Sequence, residues 1–140
     1  MKSLKLFVSM PMKGKTAEEI AEQMKQAHQA AERIVHKPLI LLNTVFDLPE
    51  GTSPLRYIAE SIMALSKADV AYFCDGWENA RGCRIEWMCA REYGVDRIES
   101  YEATDKDTKY TTMEDFYLYG DVAPLGRLNW IYQNYIPSAK

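Results

Sequence analysis

DVAYFCDGWENARGCRIEWMCAREYG, residues Asp69–Gly94, carries the pattern that decides the fold. Val70–Cys74 is an apolar run of strand length. Asp75 to Arg81 is polar and suits a loop. Cys83–Tyr93 has helical spacing, and Gly94 follows as a C-terminal cap. Gly82 stands at the entrance of that helix, with Glu86 four residues on. In an open α/β sheet, ligands bind in the crevice beyond the carboxyl ends of the strands. Asp75, Asn79 and Arg81 at the strand exit, with Glu86 a turn into the helix, therefore point to a small-molecule site.

The same alternation extends outward in both directions. Leu4–Met10 reads as a buried strand and Pro11–Lys15 as a loop. Thr16 is placed as an N-cap, with Glu19 completing a capping box. The helix that follows carries Ile20, Met24, Ala27, Ala31, Ile34 and Val35 and ends before Pro38. Leu39–Phe46 is a second strand-length run, and Asp47–Thr52 is rich in turn residues. Ser53 and Pro54 read as an N-cap and the first helical position of a helix over Leu55–Ser66. Val95–Tyr101 is a fourth strand, charged enough to sit at a sheet edge. The order β-α-β-α-β-α-β predicts a parallel sheet with helices on both faces. Glu102–Thr112 is polar and reads as a loop. An aromatic-rich tail then holds Phe116, Tyr117, Tyr119, Trp130, Tyr132 and Tyr135, with a last helix expected near Leu125–Tyr135. The reading is one domain over residues 1–140, with the α/β core in 1–101 and a loop and C-terminal extension in 102–140.

A chain of 140 residues is long enough to bury a core. Its net charge of −3 and lack of a Lys/Arg run give no footprint for a nucleic-acid polymer. No apolar run approaches the roughly 18 residues of a membrane span. The first ten residues resemble a signal peptide but are too short, and lysines follow at once. Three cysteines, placed within predicted strand and helix, argue against a disulfide framework and for a reducing, cytoplasmic setting. His28 and His36 show no ligand spacing, so neither a metal nor another cofactor is expected.

Glu86 has several readings. A carboxylate near a helix start is often a solvated charge favoured by the dipole. At the sheet's carboxyl edge it is also suited to attack an anomeric carbon, or to hold a sugar hydroxyl. The first loop, with Ser9, Met10, Lys13, Gly14, Lys15 and Thr16, offers backbone amides and lysines to an anion. It is neither a Walker A nor a dinucleotide fingerprint, and a capped helix with two solvated lysines reads equally well. Asp75 lies at a strand exit, where function is plausible, whereas Asp69 suits a structural turn. Trp77 is able to stack on a base or to pack on its own domain. Cys83 lies near a helix N-terminus, which lowers a thiol pKa, but no His neighbours it. The aromatic tail suits the core or a subunit interface.

FVSMPM with the GKT turn, SKADVAYF, GWENARGCRIE and REYG together resemble the nucleoside 2-deoxyribosyltransferase-like superfamily, in a small branch found in bacteria and their viruses. The resemblance covers about Leu4–Val95. It implies a flavodoxin-like or Rossmann-like three-layer sandwich with a parallel sheet of four or five strands. It also implies cleavage or transfer at the N-glycosidic bond of a nucleoside or nucleoside 5′-monophosphate, with Glu86 as nucleophile after Gly82. Residues Phe7–Thr16 would then contact sugar and phosphate, and homodimers or larger oligomers are expected. In this reading Asp75 and Asn79 orient sugar or base, Trp77 covers the base, and Ser9 with the Lys13–Thr16 loop holds the 5′ end. The chain departs from the pattern at Phe7, where characterised members carry tyrosine, at Ser61, where many carry an aspartate, and at Arg84, where a small residue is usual. Those departures keep a second function open: a protein that binds and sequesters a nucleotide or nucleotide signal without chemistry. A structural or interaction role rests on the aromatic tail alone.

Overall fold

A computed structural model describes residues 3–100 and 109–111. Its elements run β1 (Leu4–Ser9), α1 (Ala17–Val35), β2 (Leu39–Leu41), α2 (Pro54–Leu65), β3 (Val70–Phe73), a 3₁₀ turn (Trp77–Asn79), α3 (Arg81–Glu92), β4 (Asp96–Glu99) and β5 (Lys109–Thr111). The strands form one sheet in the order β2-β1-β3-β4-β5. The first four are parallel, with Leu6 opposite Val70 and Val70 opposite Asp96. β5 runs antiparallel to β4, with Ile98 opposite Tyr110. The result is the expected three-layer α/β architecture around a parallel sheet of four strands.

Alternation along the strands sorts side chains into two cores. Leu6, Val8 and Met10 pack with Tyr72, Ile98 and the α1 residues Met24, Ala27 and Ala31. Phe7, Ala71 and Phe73 face the other way, onto Leu65 of α2 and Cys83, Trp87 and Ala90 of α3. The helix starts obey local chemistry. Thr16 accepts the amide of Glu19 while Glu19 returns a bond to the Thr16 amide, closing the capping box. Ser53 accepts the amide of Arg56, and Pro54 takes the first helical position. Gly94 has φ +75, the left-handed conformation that ends α3.

Three expectations change. The second strand spans Leu39–Leu41 and does not continue to Phe46. There the Asn43 side chain accepts the Val45 amide at 3.2 Å, a local bond that turns the chain out of the ladder. The fourth strand is interior, because β5 pairs along its far side. Its charges are buried yet engaged: Trp87 Nε1–H donates to Glu99 Oε1 at 2.8 Å. The Arg97 guanidinium lies 3.9 Å from that carboxylate and 5.2 Å from the centroid of the Trp87 ring. Finally, Lys109–Thr111 is a strand inside the segment expected to be loop. The aromatic tail and its expected helix lie outside the described residues.

Candidate functional site

Ser9 is the last residue of β1 and shares the α3 side of the sheet with Phe7. It is 2% exposed. Glu86, 7% exposed, projects from α3 onto the same carboxyl edge, where Ser9 Oγ donates to its Oε1 at 2.7 Å. α3 passes close to α2 at Gly82, where a Cβ would lie 3.2 Å from Ile58 Cδ1 of α2. Ser61 of α2 lines the same cavity as Glu86. Burial pushes the Glu86 carboxyl up to about 7, with the Ser9 bond and the Ser61 hydroxyl pulling it down. Burial disfavours the charged form, whereas a donated hydrogen bond favours it. The chain thus holds near neutrality a carboxyl with an ordinary value of 4.5.

These groups open onto a cavity of about 290 Å³. Its described walls come from the end of β1 and its loop (Val8, Met10, Pro11, Met12), from the loop after β2 (Thr44, Val45, Phe46), and from α2 (Tyr57, Ser61). Gly82, Cys83 and Glu86 complete it on the α3 side. The walls are largely apolar, the usual background for a few polar groups that fix a ligand's orientation.

Of the residues selected from sequence, Ser9, Met10, Ser61, Gly82 and Glu86 meet at this cavity. Asp75 does not. Gly76, at φ +84, turns the chain just after it. Asp75 then hydrogen-bonds Ser100 and lines a polar groove beside α1, with Gln26, Arg33 and Tyr72. The placement of Asp75 beside Glu86 is therefore corrected. Trp77 is likewise corrected: it is fully buried, stacked on Trp87 at 5.6 Å and tilted against Phe73 at 5.5 Å, so it has no free face for a base. Asn79 sits on the exposed side of the 3₁₀ turn.

The first loop divides. Met10, Pro11 and Met12 enter the cavity, whereas Lys13 and Gly14 are exposed. Lys15 Nζ donates to Gln23 of α1 at 2.6 Å, and Thr16 spends its hydroxyl on the cap. The Lys15 and Thr16 side chains are thus engaged on α1, and none of residues 13–16 is among the described residues that line the Glu86 cavity. Cys83 departs from the helix-terminus argument because burial pushes its thiol up to about 12. Thr44, Val45, Phe46 and Tyr57 were not expected at the cavity from the sequence. Their signal was the DLPEGT loop, which follows Phe46 and precedes the helix carrying Tyr57 and marks a chain crossing the sheet's carboxyl edge.

Residues 4–98 match the family described as domain of unknown function DUF4406. The chain belongs to the DUF4406 family. No curated protein and no solved structure matches it. The matched span of this DUF4406 chain runs from the start of β1 into β4 and includes every described residue lining the Glu86 cavity. Among its described residues no group of His, Cys, Asp and Glu is arranged to hold a metal ion. No helix there is long and apolar enough to cross a membrane.

Proposed function

We propose that this domain cleaves or transfers at the N-glycosidic bond of a nucleoside or nucleoside 5′-monophosphate, with Glu86 as the nucleophile. The observation that carries the proposal is one buried carboxyl at the carboxyl edge of β1, gripped by Ser9 at 2.7 Å and facing an apolar cavity. The likeness of FVSMPM, SKADVAYF and GWENARGCRIE to the nucleoside 2-deoxyribosyltransferase-like superfamily supports the same reading. A buried carboxylate at the wall of such a cavity is suited to attack C1′ and form a glycosyl ester, which water or a second base resolves. Ser9 and Ser61 act as positioning residues that aim the carboxylate and favour its ionised form. Glu60, next to Ser61, gives no replacement for the aspartate usual at that position, because Arg56 Nε donates to it at 3.0 Å on the helix surface.

The rival reading, binding without chemistry, draws on the same departures at Phe7 and Ser61 and on the remoteness of Asp75. Incubation with a panel of nucleosides and deoxynucleoside monophosphates, followed by chromatography for free base, separates the two. Base release by wild type and not by Glu86→Gln supports glycosidic chemistry. Binding with every compound returned intact refutes it in favour of sequestration.

A further inference from the structure

Cleavage of an N-glycosidic bond leaves an electron pair on the base nitrogen. A neutral base accepts that pair readily when an acid protonates it as it departs. Among the described residues, two carboxyls that the sequence offers as partners of Glu86 are engaged elsewhere. Asp75 bonds Ser100 in the groove beside α1, and Glu60 bonds Arg56. Cys83 holds its proton up to about 12 and is a poor donor. Meanwhile the described cavity walls combine the Glu86 carboxyl with the rings of Phe46 and Tyr57 and the thioethers of Met10 and Met12. A buried carboxylate beside aromatic residues attracts an organic cation. No Lys, Arg or His stands among the described lining residues to repel one.

We infer that the Glu86 cavity selects a nucleoside whose base is already cationic, of the pyridinium or N-alkylpurinium class, seated between Glu86 and the rings of Phe46 and Tyr57. This rests on the glycosidic reading of Glu86. The chemistry balances without a second acid. The Glu86 carboxylate forms a bond to C1′ as the C1′–N bond breaks. Its electron pair cancels the positive charge on the ring nitrogen, and the base leaves neutral. Water then attacks C1′, and the ester bond breaks with its electrons returning to Glu86. The water's proton is released. An incoming cation also favours the ionised form of a carboxyl held near neutrality, so ligand and nucleophile prepare one another.

The test has a binding arm and a turnover arm. Calorimetric titration compares 1-methylnicotinamide, a pyridinium cation, with uncharged nicotinamide at pH 7.5, on wild type and on Glu86→Gln. The expected result is at least 10-fold tighter binding of the cation to wild type, with that preference lost in Glu86→Gln. Equal affinity for the two compounds, or no binding of either, overturns the inference whatever the variant does. In the turnover arm, nicotinamide riboside and 7-methylguanosine are compared with uridine and guanosine, each corrected for its spontaneous rate. Base release at least 100-fold faster from the cationic pair supports the inference. Equal or faster release from the neutral pair overturns it and leaves the glycosidic reading standing. No release from any of the four overturns the inference, and the glycosidic reading falls with it only if the deoxynucleosides and nucleoside monophosphates are also returned intact.

Discussion

Replacing Glu86 with glutamine probes the site through stability alone. The side chain keeps its shape and still accepts the Ser9 hydroxyl, but it no longer titrates. In wild type, burial raises the carboxyl from 4.5 to about 7, worth about 3 kcal/mol at roughly 1.4 kcal/mol per pH unit. The sign follows from proton binding. Between 4.5 and 7 the folded protein retains a proton that the unfolded chain has released, so this contribution to stability falls as pH rises. It is present in full below pH 4.5, is lost progressively up to about 7, and changes no further above that. Urea unfolding of both proteins at pH 4.5, 6, 7 and 8 isolates the contribution, because every other titrating group is common to the pair. Relative to wild type, Glu86→Gln should gain about 3 kcal/mol between pH 4.5 and pH 8. A difference between the two proteins that stays constant with pH would refute the argument. So would an NMR titration of the Glu86 carboxyl with a midpoint below about 5.

Ser9→Ala removes a donor that favours the ionised form, so the Glu86 midpoint should move above its wild-type value in the same NMR titration. Loss of this buried bond to an ionised partner should also cost about 1–3 kcal/mol in urea unfolding at pH 8. Trp87→Phe retains a ring against Trp77 but deletes the Nε1–H that reaches Glu99 at 2.8 Å. A buried carboxylate then has one donor fewer, and a destabilisation of about 2–3 kcal/mol is expected by denaturant titration. Burial raises the thiols of Cys74 and Cys83 to about 12 and covers them, whereas Cys89 is partly exposed. Iodoacetamide at pH 8 should therefore label Cys89 first in the native protein and all three only after unfolding, as read by peptide mass spectrometry.

Local chemistry was legible in the chain from the start. Thr16 with Glu19, Ser53 with Pro54, and Gly94 each mark a helix boundary with groups a few residues apart, and each works as its spacing suggests. The alternation of strand-length and helical patterns set the parallel α/β class, since a short connection through a helix returns the chain in the same direction. Ser9, Gly82 and Glu86 were also identifiable, because strand ends and helix starts gather at one edge of such a sheet.

Tertiary packing decided the rest. Central strands buried on both faces read as continuous apolar runs, so the sequence does not say which face of the sheet each alternating set of side chains takes. Packing put Ser9 on the α3 side, where it reaches Glu86, and left Asp75 beside Ser100 and α1. It turned Trp77 inward onto Trp87 rather than toward a ligand. It made β4 interior, because a strand distant in sequence paired along it, and Trp87 and Arg97 made its charges tolerable there. The raised carboxyl of Glu86 belongs to the same class of fact. Ionisation energy depends on how much water the assembled neighbours exclude, and those neighbours come from β1, α2 and the loop after β2, far from Glu86 along the chain.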